Sequence, residues 1–193
     1  MITRTSLALY RVANGWVAAL ATTIFTVFCA TLLPAQGKAA KVYTNGFPAP
    51  DTSFTYYSAG DLQTWFAGYG PAGRAEYVQA RYTFDLLWPL IYTFFLVAVL
   101  SWLLPKVTAP TSRWRLFNTL PLLVLACDYV ENIIGATLAS SFPPSIPLLA
   151  NTMAVFTLTK WVGLTIAFVA VLLAGIFALV RRSSSSKGES SHG

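Results

Sequence analysis

The sequence predicts an all-α integral membrane protein, a bundle of four transmembrane helices with a partly helical extracytoplasmic loop between helices one and two. Composition is the first observation, because 55% of the 193 residues are hydrophobic and only 10% are charged. Soluble domains carry about a quarter charged residues. The second observation is that the apolar residues gather in four stretches, each of at least the roughly 18 residues that a membrane-spanning helix needs.

These four stretches define the predicted spans in chain order. The first covers about 15–33 and the second about 85–104. The third covers about 116–139, and the fourth covers about 148–180. Because the fourth stretch is longer than a bilayer requires, we expect it to tilt, protrude or kink.

The outer loop, about 34–84, contains helix-start patterns of its own. Ser58 and Asp61 have the spacing of a capping box, with Asp in place of the usual Glu or Gln. Glycines end that short helix, and Pro71 suits the first turn of a second one. Since no helix breaker precedes Asp85, we expect this second helix to run continuously into span two.

Positive charges predict the orientation of the chain. Short segments before span one, between spans two and three, and after span four hold the basic residues Arg4, Arg11, Lys106, Arg113, Arg115, Arg181, Arg182 and Lys187. An excess of Lys and Arg in short loops is typical of the cytoplasmic side. Residues 1–182 are therefore predicted to be a single domain of the plasma or inner membrane, with both termini cytoplasmic. The Ser-rich segment 183–193 predicts a disordered cytoplasmic tail.

Span one has a second interpretation as a secretory signal peptide. Arg4 and Arg11 precede the apolar run, and the small residues of Ala35-Gln36-Gly37 follow it. The run of about 18 residues is longer than the usual 7–15 of a signal peptide, which favours a retained span. Cleavage would leave three spans and place the new N-terminus outside.

Ionisable and polar residues within the spans predict a buried cluster. Ionisable side chains cost about 2.5–3.5 kcal/mol at the centre of a bilayer, and they are usually paired. Asp128 and Glu131 are neighbours on one helix face because they are three residues apart. The order and direction of the spans bring further polar residues to a similar depth. The predicted binding or structural cluster consists of Asp85, Asp128, Glu131, Asn132, Lys160 and Tyr92.

Two prolines are predicted to shape this region. Pro89 and Pro121 lie inside the predicted spans two and three, where each removes a backbone hydrogen bond and can kink its helix. Two interpretations of such a kink remain open. It improves packing alone, or it opens a small polar cavity near Asp85, Tyr92 and Asp128.

The cluster supports three functional hypotheses. The first is a non-enzymatic scaffold, accessory subunit or lipid- or partner-binding bundle, in which ion pairs fix the order of the helices. The second is a small proton- or cation-coupled transporter acting as an oligomer. A carboxylate-dependent, lipid-modifying membrane enzyme ranks last. The partners expected are the lipid bilayer, a lipid ligand or membrane-protein partner, and a second copy of the chain.

Other function classes are not supported by the sequence. The single histidine, His192, lies in the tail, so no Ser-His-Asp triad and no His-dependent metal site is predicted. We accordingly predict no catalytic residue, metal or cofactor. The basic residues are loop charges rather than one concentrated face, so nucleic acid is not an expected partner.

Several short motifs between residues 58 and 180 also carry a resemblance. They are Gly70-Pro-Ala-Gly73-Arg74 with Tyr77, Asp85, Pro89-Leu-Ile-Tyr92, Asp128-Tyr-Val-Glu131-Asn132 and Lys160-Trp161. In these motifs the chain resembles a family of bacterial four-span membrane proteins with no established activity, which implies that the polar positions act as one set. It is less similar to the four-helix fold of sterol isomerases and sigma-2 receptors, because its spans lack histidine and its outer loop is longer.

Overall fold

The computed structural model describes residues 2–143 and 147–189, and within these ranges the chain is helical without β-strands. This confirms the predicted all-α class. The helices are α1 (Ile2–Val12), α2 (Gly15–Ala30), α3 (Leu32–Tyr43), a first 3₁₀ helix (Pro50–Thr52), α4 (Ala59–Tyr82), α5 (Phe84–Val107), a second 3₁₀ helix (Arg113–Thr119), α6 (Leu120–Ser140) and α7 (Pro147–Glu189).

Four helical segments of the described chain have the length and apolar composition to cross a membrane. They are Gly15–Tyr43, Ala59–Val107, Arg113–Ser140 and Pro147–Ser183. In the first and last of these, only 17% and 22% of the most apolar window is buried inside the bundle, against 50% and 56% in the middle two. Because soluble proteins rarely expose large contiguous apolar patches, this surface is typical of a membrane protein.

Helix α4 begins with the predicted capping box. Ser58 Oγ accepts a hydrogen bond from the amide of Asp61 at 3.2 Å, and Asp61 Oδ2 accepts one from the amide of Ser58 at 2.8 Å. The predicted break between the glycines and Pro71 is also confirmed, because Gly70 has φ 66° and ψ 175°. Glycine adopts this positive φ without the steric cost that a side chain would add.

The continuous helix expected between Pro71 and span two is interrupted at Thr83. Its φ of −123° and ψ of −82° separate α4 from α5. Thr83 Oγ1 donates a hydrogen bond to the carbonyl of Gln79 at 2.8 Å, one turn earlier. Such back-bonding competes with the helical ladder and bends helices.

Within the predicted loop of 34–84, the outer connection between helices α3 and α4 is short. Helix α3 continues the first apolar segment to Tyr43, so only residues 44–58 link it to α4. Pro34 does not prevent this, since it lies in the first turn of α3, where backbone N–H groups have no helical partner. A break at Thr31, with φ −118° and ψ −67°, separates α2 from α3.

Span three begins differently from the prediction. Residues Arg113–Thr119 form the second 3₁₀ helix, and Pro121 lies in the first turn of α6 rather than inside a helix. The kink expected at Pro121 is therefore absent from α6, because a first-turn proline removes no helical hydrogen bond. Pro89 does lie inside α5, as predicted.

Helix α7 extends into the segment predicted to be a disordered tail. Its backbone is helical as far as Glu189, so residues 183–189 differ from that prediction, and 190–193 lie outside the described residues. The extension has a simple physical basis, since each residue added to a formed helix gains one hydrogen bond and no proline interrupts it.

Two apolar cores pack along the bundle axis. The loop-side core surrounds Tyr57, Phe66 and Leu138, and the terminus-side core surrounds Leu96 and Leu164. We call the corresponding ends of the bundle the loop end and the terminus end. On α6 and on α7, polar residues separate the part of the helix in one core from the part in the other. This gives the bundle a polar layer between two apolar ones.

Candidate functional site

Lys160 on α7 lies at the centre of the polar layer. Its Nζ is 2.7 Å from Glu131 Oε2 and 3.9 Å from Asp128 Oδ1, both on α6. It also donates a hydrogen bond to the backbone carbonyl of Asp51 at 3.1 Å. Lys160 is 5% exposed and Glu131 is fully buried. A charge this well buried requires such partners, so the lysine joins α6, α7 and the outer connection.

Asp128 links α6 to α5 through neutral donors. It accepts hydrogen bonds from Tyr92 Oη at 2.8 Å and from Asn132 Nδ2 at 2.9 Å. The same Asn132 nitrogen is 3.4 Å from the carbonyl of Asp85. The six residues predicted from the sequence are thus brought together in one layer, with Asp85 joined to the rest by its backbone and, as described next, by an arginine.

Arg81 is a member of the layer that the sequence prediction missed. Its Nε is 2.8 Å from Asp85 Oδ2, one helical turn away across Thr83. Its two terminal nitrogens contact the two carboxylate oxygens of Asp51, at 3.2 and 3.3 Å. The guanidinium also lies 4.5 Å from the centre of the Tyr77 ring. The i,i+4 spacing of Arg81 and Asp85 in the sequence could have indicated this pair.

Asp51 is the second missed residue, and it brings the outer connection into the layer. Its backbone carbonyl accepts hydrogen bonds from Lys160 Nζ and from Trp161 Nε1, each at 3.1 Å. Burial alone would raise the pKa of the Asp51 carboxyl, but the charges of Arg81 and Lys160 hold it below its usual range. Asp51 is therefore ionised at neutral pH. Nothing in the sequence near position 51 indicated this contact.

A cavity of about 200 Å³ borders the polar layer. Its wall combines charged, amide and aromatic side chains with residues of α3. The charged and amide groups belong to Asp51, Arg81, Asp85, Asp128, Asn132 and Lys160. The aromatic side chains are Tyr43, Phe84, Trp88 and Trp161, and α3 contributes Leu33, Gln36, Gly37 and Ala40. This combination allows the cavity to take a group that is both polar and partly apolar.

Carboxylates outnumber cations in the layer. Its two cations are Arg81 and Lys160, and its four carboxyl groups belong to Asp51, Asp85, Asp128 and Glu131. The formal charge of the layer is −2 when all six groups are ionised. Glu131 Oε1 is buried without a hydrogen-bond partner. Asp85 is paired through Oδ2, which contacts Arg81 Nε at 2.8 Å. The layer therefore retains unused acceptor capacity on Glu131.

Other chemistry has little support within residues 2–143 and 147–189. No three His, Cys, Asp or Glu side chains in these ranges are grouped so that they could hold a metal ion. Cys29 and Cys127 are both free thiols. What the layer can do chemically is hold its helices together and present carboxylate oxygen to the cavity.

The predicted resemblance to bacterial four-span proteins gains no independent support from known proteins. Asp85, Asp128, Glu131 and Lys160 do lie in one layer, as that resemblance implies, but proximity alone does not establish common ancestry. Comparisons with family models, curated proteins and solved structures found no match for this chain.

Proposed function

We propose that this chain is an integral membrane protein with four spans that acts by binding rather than by catalysis, as a scaffold or accessory subunit whose polar layer holds a lipid or a membrane-protein partner. The observation that carries this proposal is the cavity of about 200 Å³ beside the layer. Charged walls at the level of apolar helices are costly, and in membrane proteins they usually mark a functional site. Ion pairs between the helices fix the shape of the cavity.

The proposed orientation places the terminus end in the cytoplasm and the loop end outside, in the plasma or inner membrane. Three basic segments meet at the terminus end. Arg181 Nη1 donates to the carbonyl of Lys106 at 3.0 Å, and Tyr10 Oη donates to the carbonyl of Arg115 at 2.6 Å. This clustering supports the positive-inside assignment.

A retained first span forms part of the proposal. Helix α1 packs on the second 3₁₀ helix, where Ser6 Oγ donates to Asn118 Oδ1 at 2.7 Å. Cleavage after α2 would remove the residues that make this contact and leave the fully buried Asn118 without those partners.

The binding proposal is tested by filling the cavity. Gly37 lines it, and an added Cβ there meets no atom within 4 Å, so Gly37→Leu adds a bulky side chain at the cavity wall without an immediate clash. Gly175→Leu is the matched control, because a Cβ at Gly175 on α7 also has open space and the residue does not line the cavity. Native mass spectrometry of protein extracted from membranes detects any bound molecule.

We expect a lipid or protein to remain bound to the wild type and to Gly175→Leu, and to be lost from Gly37→Leu. A bound molecule that remains on Gly37→Leu would contradict binding in this cavity. Protein that carries no bound molecule in any form would contradict the proposal as a whole.

A transporter is the second candidate, and one observation favours it. Glu131 Oε1 is completely buried and unpartnered, which is an arrangement suited to taking up a proton or a small cation. This function predicts ion flux in proteoliposomes that Glu131→Gln abolishes. Four spans enclose little pathway alone, so transport would require a homo-oligomer. Absence of flux in the wild type, together with a bound molecule, would exclude this candidate.

A further inference from the structure

We propose that the cavity beside the polar layer binds an organic ammonium group, carried either by the headgroup of a lipid or by a free small amine. This inference rests on the proposed function, since it names the chemical class of the ligand that the cavity holds. Three features of the wall support it. They are the pairing of both cations with carboxylates, the surplus of carboxyl groups over cations, and the aromatic side chains.

Both cations of the layer already pair with carboxylates of the protein. Arg81 makes contacts of 2.8 to 3.4 Å with Asp85, Asp51 and Asn132. Lys160 Nζ lies between Glu131 and the Asp51 carbonyl, as described above. An anionic ligand, such as a phosphate or a carboxylate, would have to compete for these cations with the buried carboxylates that already pair with them. That competition makes an anion an unfavourable occupant.

The carboxylates, in contrast, have oxygen to spare at the cavity wall. The side chain of Asp85 is 10% exposed and that of Asp51 is 18% exposed, and both line the cavity. Asp85 Oδ2 is completely buried against Arg81, so the exposed part of this side chain belongs to its other atoms. An ammonium group in the cavity would lie beside this carboxylate, donating an N–H where it carries one, and its charge would reduce the formal surplus of −2 in the layer.

Aromatic rings and cavity size narrow the ligand further. Trp88 and Trp161 line the cavity, and tryptophan is the aromatic side chain that attracts organic cations most strongly. Lys160 Nζ already lies 5.6 Å from the centre of the Trp161 ring. Of the two tryptophans, Trp88 is therefore the one that, in the described part of the chain, has no protein cation over its ring. A volume of about 200 Å³ is smaller than usual drug-sized pockets, which start at about 300 Å³. The cavity therefore suits a small ammonium group, with any hydrocarbon tail left outside.

The experiment measures binding of defined probes to the full-length protein in detergent. Phosphatidylethanolamine, phosphatidylcholine and phosphatidylglycerol are titrated under native mass spectrometry, and free ethanolamine and choline are added as competitors. Asp85→Asn removes one carboxylate of the cavity wall. Trp88→Leu removes the aromatic ring and leaves every charge of the layer in place, so it remains informative if Asp85→Asn folds poorly. Glu76→Gln is the control, because it makes the same acid-to-amide change at an exposed position of α4.

We expect the two amine lipids to bind more tightly than phosphatidylglycerol. Asp85→Asn and Trp88→Leu should each weaken amine-lipid binding by about tenfold, while Glu76→Gln should leave it unchanged. Competition by free ethanolamine or choline would identify a free amine as the ligand, and its absence would identify a lipid headgroup. Equal or tighter binding of phosphatidylglycerol, or no effect of either variant, would overturn the inference.

The two proposals fail in different ways. An anionic lipid that binds the wild type and is lost from Gly37→Leu would keep the proposed function and overturn only the ammonium assignment. If neither the wild type nor any variant binds a lipid or an amine, both proposals are overturned.

Discussion

The polar layer and the terminus end of the bundle are both held by buried polar side chains, but they use different chemistry. The layer joins helices through charges, with Lys160 and Glu131 2.7 Å apart. At the terminus end, Asn118 joins α1 to α5 through neutral hydrogen bonds to Ser6 and to Ser101. Glu131 and Asn118 are both fully buried. The difference indicates that neutral groups suffice to attach a helix, so the surplus charge of the layer calls for another explanation.

The comparison first predicts that removing a charged group of the layer lowers the free energy of unfolding more than removing any neutral group. Lys160→Met leaves Glu131 buried without its cation, and breaking one side of a buried ion pair costs about 3–5 kcal/mol of unfolding free energy. Denaturant unfolding in detergent measures the loss. Lys106→Met is the matched control, because Lys106 is exposed and its Nζ lies 3.2 Å from the centre of the Trp102 ring, a contact worth about 0.5–1 kcal/mol.

Adding Glu131→Gln to Lys160→Met should restore most of the lost stability, because the carboxylate closest to the lost cation is then neutral. If the single variant is as stable as the wild type, the layer does not hold the helices together. The ligand-binding role would then be the remaining reason for the buried charges.

The second prediction concerns close helix contact at the loop end. A Cβ on Gly73 of α4 would overlap the backbone carbonyl of Tyr43 at the end of α3, and backbone moves less readily than a side-chain tip. Gly73→Ala should therefore destabilise by about 3 kcal/mol, at the upper end for overpacking. Gly175→Ala on α7 is the control, with no atom within 4 Å of the added Cβ, and we expect it to be neutral or slightly stabilising. Equal melting temperatures for the two variants would show that α3 shifts freely.

The third prediction tests the neutral end directly. Asn118→Ala removes hydrogen bonds to the Ser6 backbone and side chain and to Ser101, at 2.7 to 3.2 Å. Groups left buried without partners should cost about 2 kcal/mol. Thermal unfolding gives the size of the effect, and faster proteolysis within α1 would locate it. A loss of stability as large as that of Lys160→Met would remove the distinction between the charged layer and the neutral terminus end.

The smallest effect is expected at the start of α4. Ser58→Ala removes the side chain that caps the helix, which should cost about 1 kcal/mol. Ser58→Asp preserves an acceptor and should restore most of that loss. Since Ser58 and Asp61 are exposed, circular dichroism and thermal unfolding are expected to show a local change without loss of the layer. Unfolding of the whole protein would mean that the loop end depends on this cap.

The parts of the fold that could be predicted were those that depend on local composition and spacing. Apolar runs indicated the spans, and the i,i+3 spacing of Asp128 and Glu131 placed both on the helix face that meets Lys160. The capping box of Ser58 and the break at Gly70 followed from residue type, because their geometry is decided within a few residues.

The parts that could not be predicted depend on long-range contact. Arg81 was predicted to lie in the helix that follows Pro71 but not to belong to the cluster, yet α4 places it 3% exposed within the layer. Asp51 joins Lys160 across 109 positions of sequence, and no local pattern encodes such a return of the chain. Helix α3 was also missed, because Pro34 and Gly37 suggest a loop unless the tolerance of a first-turn proline is taken into account.

The double hydrogen bond to the carbonyl of Asp51 has a consequence for how this loop can vary. Every amino acid supplies a backbone carbonyl, so replacing Asp51 breaks the pair with Arg81 but leaves the acceptor used by Lys160 and Trp161. Inserting or deleting one residue between 44 and 50 would instead shift the carbonyl by up to about 3.5 Å, beyond the range of a hydrogen bond. The outer connection is thus constrained in its length more strictly than in its composition.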